Sequence, residues 1–220
     1  KSKIHLSLNS DFKMKENKDK EILAIIPARG NSKRLPRKNI KKFCDKPLIY
    51  YSIKAGIESK YITRIIVSTE DPEIAKISKK YNTEIINRPK KLAKDNTPSL
   101  PVFQHVLDFL LENENYKPDI IVILQPTSPL RQKEDIDNCI KKLIKEKCDT
   151  VITVREIEFP PDWILTIDKK GRIDKSFIEI KHKTRNEEIN AYIPNGAVYV
   201  TWYDTIVNEK KLIGKDTRPV

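Results

Sequence analysis

Residues 22–39 read ILAIIPARGNSKRLPRKN, an apolar run that leads into a loop dense in positive charge. The run has the length and the isoleucine content of a strand that is covered on both faces, as in a parallel sheet between helices. Because ligands of open α/β sheets bind beyond the carboxyl ends of the strands, the loop after this run is the first place to expect a binding site.

Apolar runs of the same kind recur along the chain and alternate with helical patterns. They read RIIVST, TEIINRP, DIIVILQP and TVITVRE and begin at residues 64, 83, 119 and 150. Helical spacing relates Val102, Val106, Phe109 and Leu110, and again Ile136, Ile140, Leu143 and Ile144. Strands that alternate with helices are typical of an α/β fold with a doubly wound, mostly parallel sheet.

Prolines mark the beginnings of two further predicted helices. Pro47 and Pro72 fit the first turn of a helix, where a missing N–H costs nothing, and Asp71 can cap the second of these helices.

The stretch at about residues 156–192 departs from this alternation. It has a turn at Lys170 and Gly171, short strand-like pieces and no helical period, so we interpret it as an inserted β arm. The chain then returns with the strand NGAVYVTW from Asn195 and a short helix from Asp204. Residues 1–21 lack the apolar core of a signal peptide, and we treat them as a disordered leader or tag-like sequence before one domain at residues 22–220.

The composition is that of an ordinary globular protein with an excess of positive charge. The 220 residues carry a formal net charge of +12, which favours an anionic partner. The lysines are scattered through helices and loops, so a solvated basic surface is more typical of this pattern than a nucleic-acid stripe. The three cysteines lack CxxC spacing, which fits a reducing cytoplasm; they are Cys44, Cys139 and Cys148. No apolar run approaches the roughly 20 residues that a membrane span requires.

The loop from Arg29 to Asn39 predicts a site for a polyphosphate. Glycine and small polar residues let backbone N–H groups turn towards an anion, and arginine and lysine supply charge for a group of triphosphate size. The sequence contains neither the GxxxxGK[ST] of a Walker A loop nor the GxGxxG of a dinucleotide site. On charge content alone, a flexible basic surface turn is an equal alternative.

The order of the residues separates these two interpretations. ARGNSKRLPRKN, which begins at Ala28, resembles the loop ARxxSKxLPxKN of the acylneuraminate cytidylyltransferase family. IIVSTEDPEIA, NRPKKLAKDNTPS, LQPTSPLR and NGAVY begin at residues 65, 87, 124 and 195 and are similar to that family's successive motifs, in order. The resemblance covers about residues 22–220. It implies a Rossmann-like nucleotidyltransferase whose inserted arm packs on the partner in a homodimer.

The resemblance also implies a nucleotide site built mainly from two loops. The catalytic cations on the CTP phosphates are Arg29, Lys33 and Lys38. The other nucleotide-binding positions are Asn39, Arg88, Asp95, Thr97 and Ser99. Of these, Arg88 matches the arginine that the family uses at the cytosine, whereas Asp95 could equally cap a helix ahead of Pro98. The residues themselves do not distinguish CTP from UTP.

A sugar pocket is implied at Gln125, Arg185, Asn195 and Tyr199. Gln125 follows a predicted strand and can both donate and accept hydrogen bonds, as a hydroxylated sugar acid requires. Arg131 belongs to the same segment as Gln125 and could equally be a structural tie between strand and helix.

The implied reaction is attack by the anomeric hydroxyl of a nonulosonic acid on the α-phosphorus of CTP, with release of pyrophosphate. The implied cofactor is Mg²⁺ (or Mn²⁺), held in the family by aspartates of a segment resembling S-I-D-I-D. Asp204 and Asp216 lack that motif. Either this chain lacks its natural C-terminus and the metal ligands lie beyond Val220, or the protein lacks the family's metal site. We favour the first, and expect the chain as it stands to bind nucleotide and turn it over slowly.

Two other functions stay open on the sequence. A 3-deoxy-manno-octulosonate cytidylyltransferase would resemble GDxP where this chain has Gln125 followed by PTSPLR. A nonenzymatic nucleotide- or nucleic-acid-binding protein would bind long polyanions with a steep salt dependence and without Mg²⁺. We expect a cytoplasmic enzyme of cell-surface polysaccharide biosynthesis, without membrane or nucleic-acid partners. The sequence does not distinguish sialic, legionaminic and pseudaminic acids as its sugar substrate.

Overall fold

The computed structural model describes residues 20–33, 35–158, 164–174 and 191–220. Its strands are β1 (Ile22–Pro27), β2 (Lys42–Phe43), β3 (Lys46–Pro47), β4 (Arg64–Thr69), β5 (Glu84–Asn87), β6 (Ile120–Ile123), β7 (Thr150–Glu156), β8 (Thr166–Ile167), β9 (Ile173–Asp174), β10 (Tyr192–Trp202) and β11 (Thr217–Pro219). Its helices are α1 (Leu48–Glu58), α2 (Pro72–Lys79), α3 (Ser99–Glu114), α4 (Lys133–Glu146) and α5 (Tyr203–Val207).

Seven of the strands form one sheet in the order β11-β7-β10-β6-β1-β4-β5. β1 lies inside the sheet and pairs in parallel with β4 and β6, β4 pairs in parallel with β5, and β11 pairs in parallel with β7. β10 runs antiparallel to β6. The mostly parallel sheet predicted from the apolar runs is therefore confirmed.

Apolar clusters cover both faces of the sheet, as the continuous apolar runs require. Along β1, Ile22, Ala24 and Ile26 belong to the cluster under α1 and α4, and Leu23 and Ile25 belong to the cluster under α3 and α5. All five residues are fully buried. The sheet is thus wound on both sides, which leaves the carboxyl ends of its strands open to ligands.

The predicted beginnings of the helices are partly right. Asp71 caps α2 through its Oδ1, which accepts the N–H groups of Glu73 at 3.0 Å and Ile74 at 2.9 Å, and Pro72 opens the helix. Pro47 instead occupies the position just before the first turn of α1. The alternative interpretation of Asp95 as a helix cap is wrong, because Pro98 takes that position at α3 and no side chain caps the helix.

The predicted buried face of α3 needs one correction. Phe109 is 39% exposed, whereas Phe103 and Leu107 are buried beside the predicted Val102, Val106 and Leu110. The apolar residues of this helix outnumber the positions that face the sheet, so spacing alone did not decide which of them turn inward.

The chain divides into two compact units, Lys1–Thr153 with Gly196–Val220, and Val154–Asn195. In the second unit β8 pairs antiparallel with β9, and Gly171 has a positive φ of 78° in the turn between them. Among the described residues, no helix has the length and apolarity to cross a membrane. The predictions for Arg185 and for the leader up to residue 19 lie outside the described residues.

Candidate active site

A cavity of about 320 Å³ lies beyond the carboxyl ends of β1, β5 and β6, which is where the fold predicts a ligand. Most of the predicted nucleotide-site residues line it. They are Arg29, Lys38, Asn39, Arg88, Asp95, Thr97 and Ser99. Gln125, which was predicted to bind the sugar, lines the same cavity. We call this cavity the main cavity. Three loops that are distant in sequence, those after β1, β5 and β6, therefore meet at one place.

Asp95 gathers two of the predicted phosphate-binding cations. Its Oδ1 lies 3.0 Å from Nη1 of Arg29 and its Oδ2 lies 3.1 Å from Nζ of Lys33. The hydrogen bond from Lys33, with the charges of Lys33 and Arg29, lowers the pKa of Asp95 against the opposing effect of desolvation. Lys33 does not line the main cavity but an adjoining one, which it shares with Asp95. The carboxylate therefore occupies a position between two cations that suits an anion.

Residues 28–39, here called the cationic loop, are held at both ends by the two acids that follow β4. Glu70 Oε1 accepts the N–H of Gly30 at 2.7 Å. Asp71 pairs with the guanidinium of Arg37, whose Nη2 donates to Oδ1 at 3.2 Å. Arg37 has a left-handed backbone with φ of 57°, and this ion pair helps to hold it there. The conformation of the loop thus depends on two residues that lie 40 and 34 positions further along the chain.

Two amino-acid types in the cationic loop are required by close contacts. A Cβ on Gly30 would lie 2.3 Å from Oδ2 of Asp71, so only glycine fits beside that carboxylate. The buried Asn39 donates from Nδ2 to the carbonyl oxygen of Arg29 at 2.9 Å and closes the loop on itself. These contacts place the side chain of Arg29 at the mouth of the main cavity.

Arg88 is the most buried cation of the main cavity, with a side chain that is 4% exposed. Its Nη2 donates to the carbonyl oxygen of Ser68 at 3.0 Å and lies 3.6 Å from Oε2 of Glu70. Desolvation lowers the pKa of Arg88, the charge of Glu70 raises it, and the charge of Arg29 lowers it further. The guanidinium is therefore held in a fixed place on the floor of the site.

The far wall of the main cavity begins at Ser99, the first residue of α3. The exposed N–H groups at the first turn of this long helix carry partial positive charge and favour an anion nearby. Apolar residues from the same helix, Val102 and Phe103, line the cavity beside them. Sequence analysis missed these two, because they belong to the stripe that also packs the core.

Arg131 is a structural tie rather than a residue of the main cavity. The buried guanidinium donates to the carbonyl oxygens of Gln125 and Ala197, at 2.5 and 2.6 Å, and to Oγ of Ser52 at 3.0 Å. Burial lowers its pKa to about 10. Arg131 therefore fixes the backbone that presents Gln125 to the cavity.

Tyr199, another of the predicted sugar residues, does not line the main cavity. Tyr199 lies on β10 opposite Ile123 and packs against the apolar cluster under α3 and α5. Asn195 belongs to the second unit and donates from Nδ2 to the carbonyl oxygen of Val154 at 3.2 Å.

A resident metal ion would need ligands among the described side chains. Magnesium takes oxygen ligands, often one or two carboxylates together with phosphates and water. No group of three or more His, Cys, Asp or Glu side chains within the described part of the chain could hold a metal ion. The carboxylate that lines the main cavity, Asp95, is paired with two cations. The described residues alone therefore do not fit a preformed metal centre.

Known proteins resemble this chain over most of its length. A family model described as cytidylyltransferase matches residues 23–193. CMP-N,N'-diacetyllegionaminic acid synthase of Legionella pneumophila is 32% identical over 202 residues, which span 90% of this chain and 85% of that protein. Pseudaminic acid cytidylyltransferase of Campylobacter jejuni is 33% identical over 179 residues, which span 80% of this chain and 76% of that protein.

A solved structure of CMP:2-keto-3-deoxy-manno-octonic acid synthetase complexed with CTP has the same fold. It superposes with a TM-score of 0.68 at 16% identity and covers 91% of this chain and 90% of that one. This likeness concerns the fold alone, whereas the family model and the two relatives concern the sequence. Together with the cavity at the carboxyl ends of the strands, they confirm the resemblance predicted from the motifs: the chain belongs to the cytidylyltransferase family.

Proposed function

We propose that this protein transfers CMP from CTP to the anomeric hydroxyl of a nonulosonic acid and releases pyrophosphate. The observation that carries the proposal is the pairing of Arg29 and Lys33 with one carboxylate at the edge of the main cavity. A triphosphate carries more negatively charged oxygens than this carboxylate, and these oxygens can pair with the same two cations. The names of the two sequence relatives, a legionaminic acid synthase and a pseudaminic acid cytidylyltransferase, support a nonulosonic acid as the acceptor.

In this proposal the cationic loop binds the phosphates of CTP. Arg29, Lys33 and Lys38 neutralise the charge that accumulates as pyrophosphate leaves the α-phosphorus. Positioning and charge stabilisation supply most of the catalysis in phosphoryl and nucleotidyl transfer, so fixed cations are the main requirement. Arg88 at the cavity floor recognises the base, and Asn39, Thr97 and Ser99 complete the nucleotide site.

The acceptor is proposed to enter beside Gln125, whose amide lines the main cavity and can hydrogen-bond sugar hydroxyls. Arg185, Asn195 and Tyr199 stay proposals for the sugar site on the strength of the resemblance. We further propose a cytoplasmic homodimer of cell-surface polysaccharide biosynthesis. Sialic, legionaminic and pseudaminic acids are the acceptors to compare.

Mg²⁺ (or Mn²⁺) is proposed as the cofactor, brought to the site with the nucleotide. Magnesium keeps several waters and binds chiefly through phosphate oxygens and one or two carboxylates. When bound, it would supply further positive charge at the triphosphate.

Asp95 is proposed to be displaced from its two cations by the phosphates of CTP. Replacing Asp95 with Asn removes a competing anion, and we expect pyrophosphate to bind about threefold more tightly, the scale of an exposed ion pair. Calorimetry with pyrophosphate measures the change. Asp216→Asn is the matched control, since Asp216 also pairs with an arginine, Arg218, in the last strand. Weaker binding by Asp95→Asn than by the wild type would contradict displacement.

Pyrophosphate release tests the proposed function. The full-length protein is given CTP, Mg²⁺ and, in turn, sialic, legionaminic, pseudaminic and 3-deoxy-manno-octulosonic acids. We expect release with at least one nine-carbon acid and little with the eight-carbon acid. No release with any of them, together with tight, salt-dependent binding to RNA, would favour a nucleic-acid-binding protein instead.

A further inference from the structure

Glu70 contacts two of the segments that surround the main cavity, the cationic loop and Arg88. It follows β4 and is not one of the residues that line this cavity, and its side chain is 13% exposed. Its two oxygens face different partners. Oε1 accepts the N–H of Gly30 at 2.7 Å, and Oε2 lies 3.6 Å from Nη2 of Arg88. One carboxylate therefore joins the cationic loop to the arginine of the cavity floor.

The environment of Arg88 makes this carboxylate important. The guanidinium is almost fully buried, and the charge of Arg29 acts on it unfavourably. A buried cation is costly unless an anion and hydrogen bonds compensate for lost hydration. Glu70 is the carboxylate that pairs with Arg88 among the described residues. Removal of its charge would leave a buried arginine beside a second cation.

Both members of the pair keep unused hydrogen-bonding capacity. Nε of Arg88 and Oε2 of Glu70 are buried and have no hydrogen-bond partner among the described residues. Arg88 itself lines the main cavity, so a shift of its guanidinium changes the wall that a ligand meets there. Glu70 does not line that cavity, so its effect on a ligand has to pass through Arg88 and Gly30.

We infer that Glu70 is a positioning residue of the nucleotide site, which holds the guanidinium of Arg88 in place while it anchors the cationic loop through Gly30. The inference rests on the proposed function, because it assumes that Arg88 binds a nucleotide. It concerns substrate binding, since Glu70 does not line the main cavity.

The inference is tested with Glu70→Gln, which keeps the shape of the side chain and the acceptor for Gly30 but loses the charge that faces Arg88. We expect the Kd of CTP to rise about tenfold, because Arg88 loses the buried ion pair that holds it at the cavity. KM for CTP should rise similarly with kcat nearly unchanged, since the loss affects binding of substrate and transition state equally. Glu84→Gln is the control, because Glu84 pairs with Arg64 on the surface. It should leave the Kd unchanged.

A double-mutant cycle with Arg88→Met separates positioning from a general effect on stability. If Glu70 acts through Arg88, the substitution Glu70→Gln should add little to the Kd of CTP once Arg88 is replaced. All Kd values are measured below the unfolding midpoint of the least stable variant. Additive effects of the two substitutions, or a wild-type Kd for Glu70→Gln, would overturn the inference.

The proposed function and this inference fail in different ways. If the wild type binds CTP but releases no pyrophosphate with any acceptor, the proposed transfer is wrong and the cycle still decides the role of Glu70. If the wild type does not bind CTP at all, both are wrong.

Discussion

Replacing Arg29 with Ala should lower kcat/KM for CTP by about 100- to 1000-fold, the usual cost of removing one group that stabilises charge in a transition state. Arg29 lies at the mouth of the main cavity, where its only ion pair among the described residues is with Asp95. The folded structure does not depend on this exposed pair, because such pairs contribute little to stability. Steady-state kinetics and a thermal melt of the same preparation measure both effects.

The matched control for Arg29→Ala is Arg218→Ala. Arg218 also pairs with an aspartate, Asp216, but it belongs to β11 at the edge of the sheet. It should keep wild-type kinetics. Equal turnover by Arg29→Ala and the wild type would contradict the assignment of Arg29 to the nucleotide site.

Replacing Gly30 with Ala should both destabilise the protein and disable the nucleotide site. The new Cβ would lie 2.3 Å from Oδ2 and 2.9 Å from Cβ of Asp71. Asp71 cannot easily retreat, because it caps α2 and pairs with Arg37. We expect a loss of about 2 kcal/mol of stability, as for an overpacked core, and about 100-fold lower kcat/KM from displacement of Arg29.

Gly214→Ala separates the two effects of Gly30→Ala. A Cβ on Gly214 would meet Cβ of Asp149 at 2.2 Å, a clash of the same kind far from the main cavity in the fold of the first unit. It should lower the unfolding midpoint and leave the KM for CTP unchanged. If Gly30→Ala behaves in the same way, the cationic loop does not depend on its contact with Asp71.

The sequence predicted six of the seven strands of the large sheet, all but β11, and the cationic loop, because both signals are local. The apolar runs of β1 and β6 are long enough to require burial on both faces, and the loop follows β1 without interruption. Ligand position then follows from the topology of the sheet. The helix cap at Asp71 was predictable for the same reason, since its partners are two and three residues away.

Long-range contacts were not predictable in this way. Glu70 contacts Gly30 from 40 positions away, and nothing in a single sequence distinguishes such an acid from a solvated one. Tyr199 matches the family pattern but packs on the core, because residues alternate between the two faces of β10. The sequence could not distinguish a binding role of Arg131 from a structural one, because two of its three hydrogen-bond acceptors lie on other segments of the fold.

Phosphorus-31 NMR of the reaction tests the central claim most directly, because it identifies which phosphate bond breaks. The full-length protein is mixed with CTP, Mg²⁺ and the acceptor that gives most pyrophosphate. We predict that the three resonances of CTP give way to pyrophosphate and a single phosphodiester resonance of a CMP-sugar. Formation of CDP with inorganic phosphate, or an unchanged CTP spectrum with every nonulosonic acid, would contradict the claim that this protein transfers CMP.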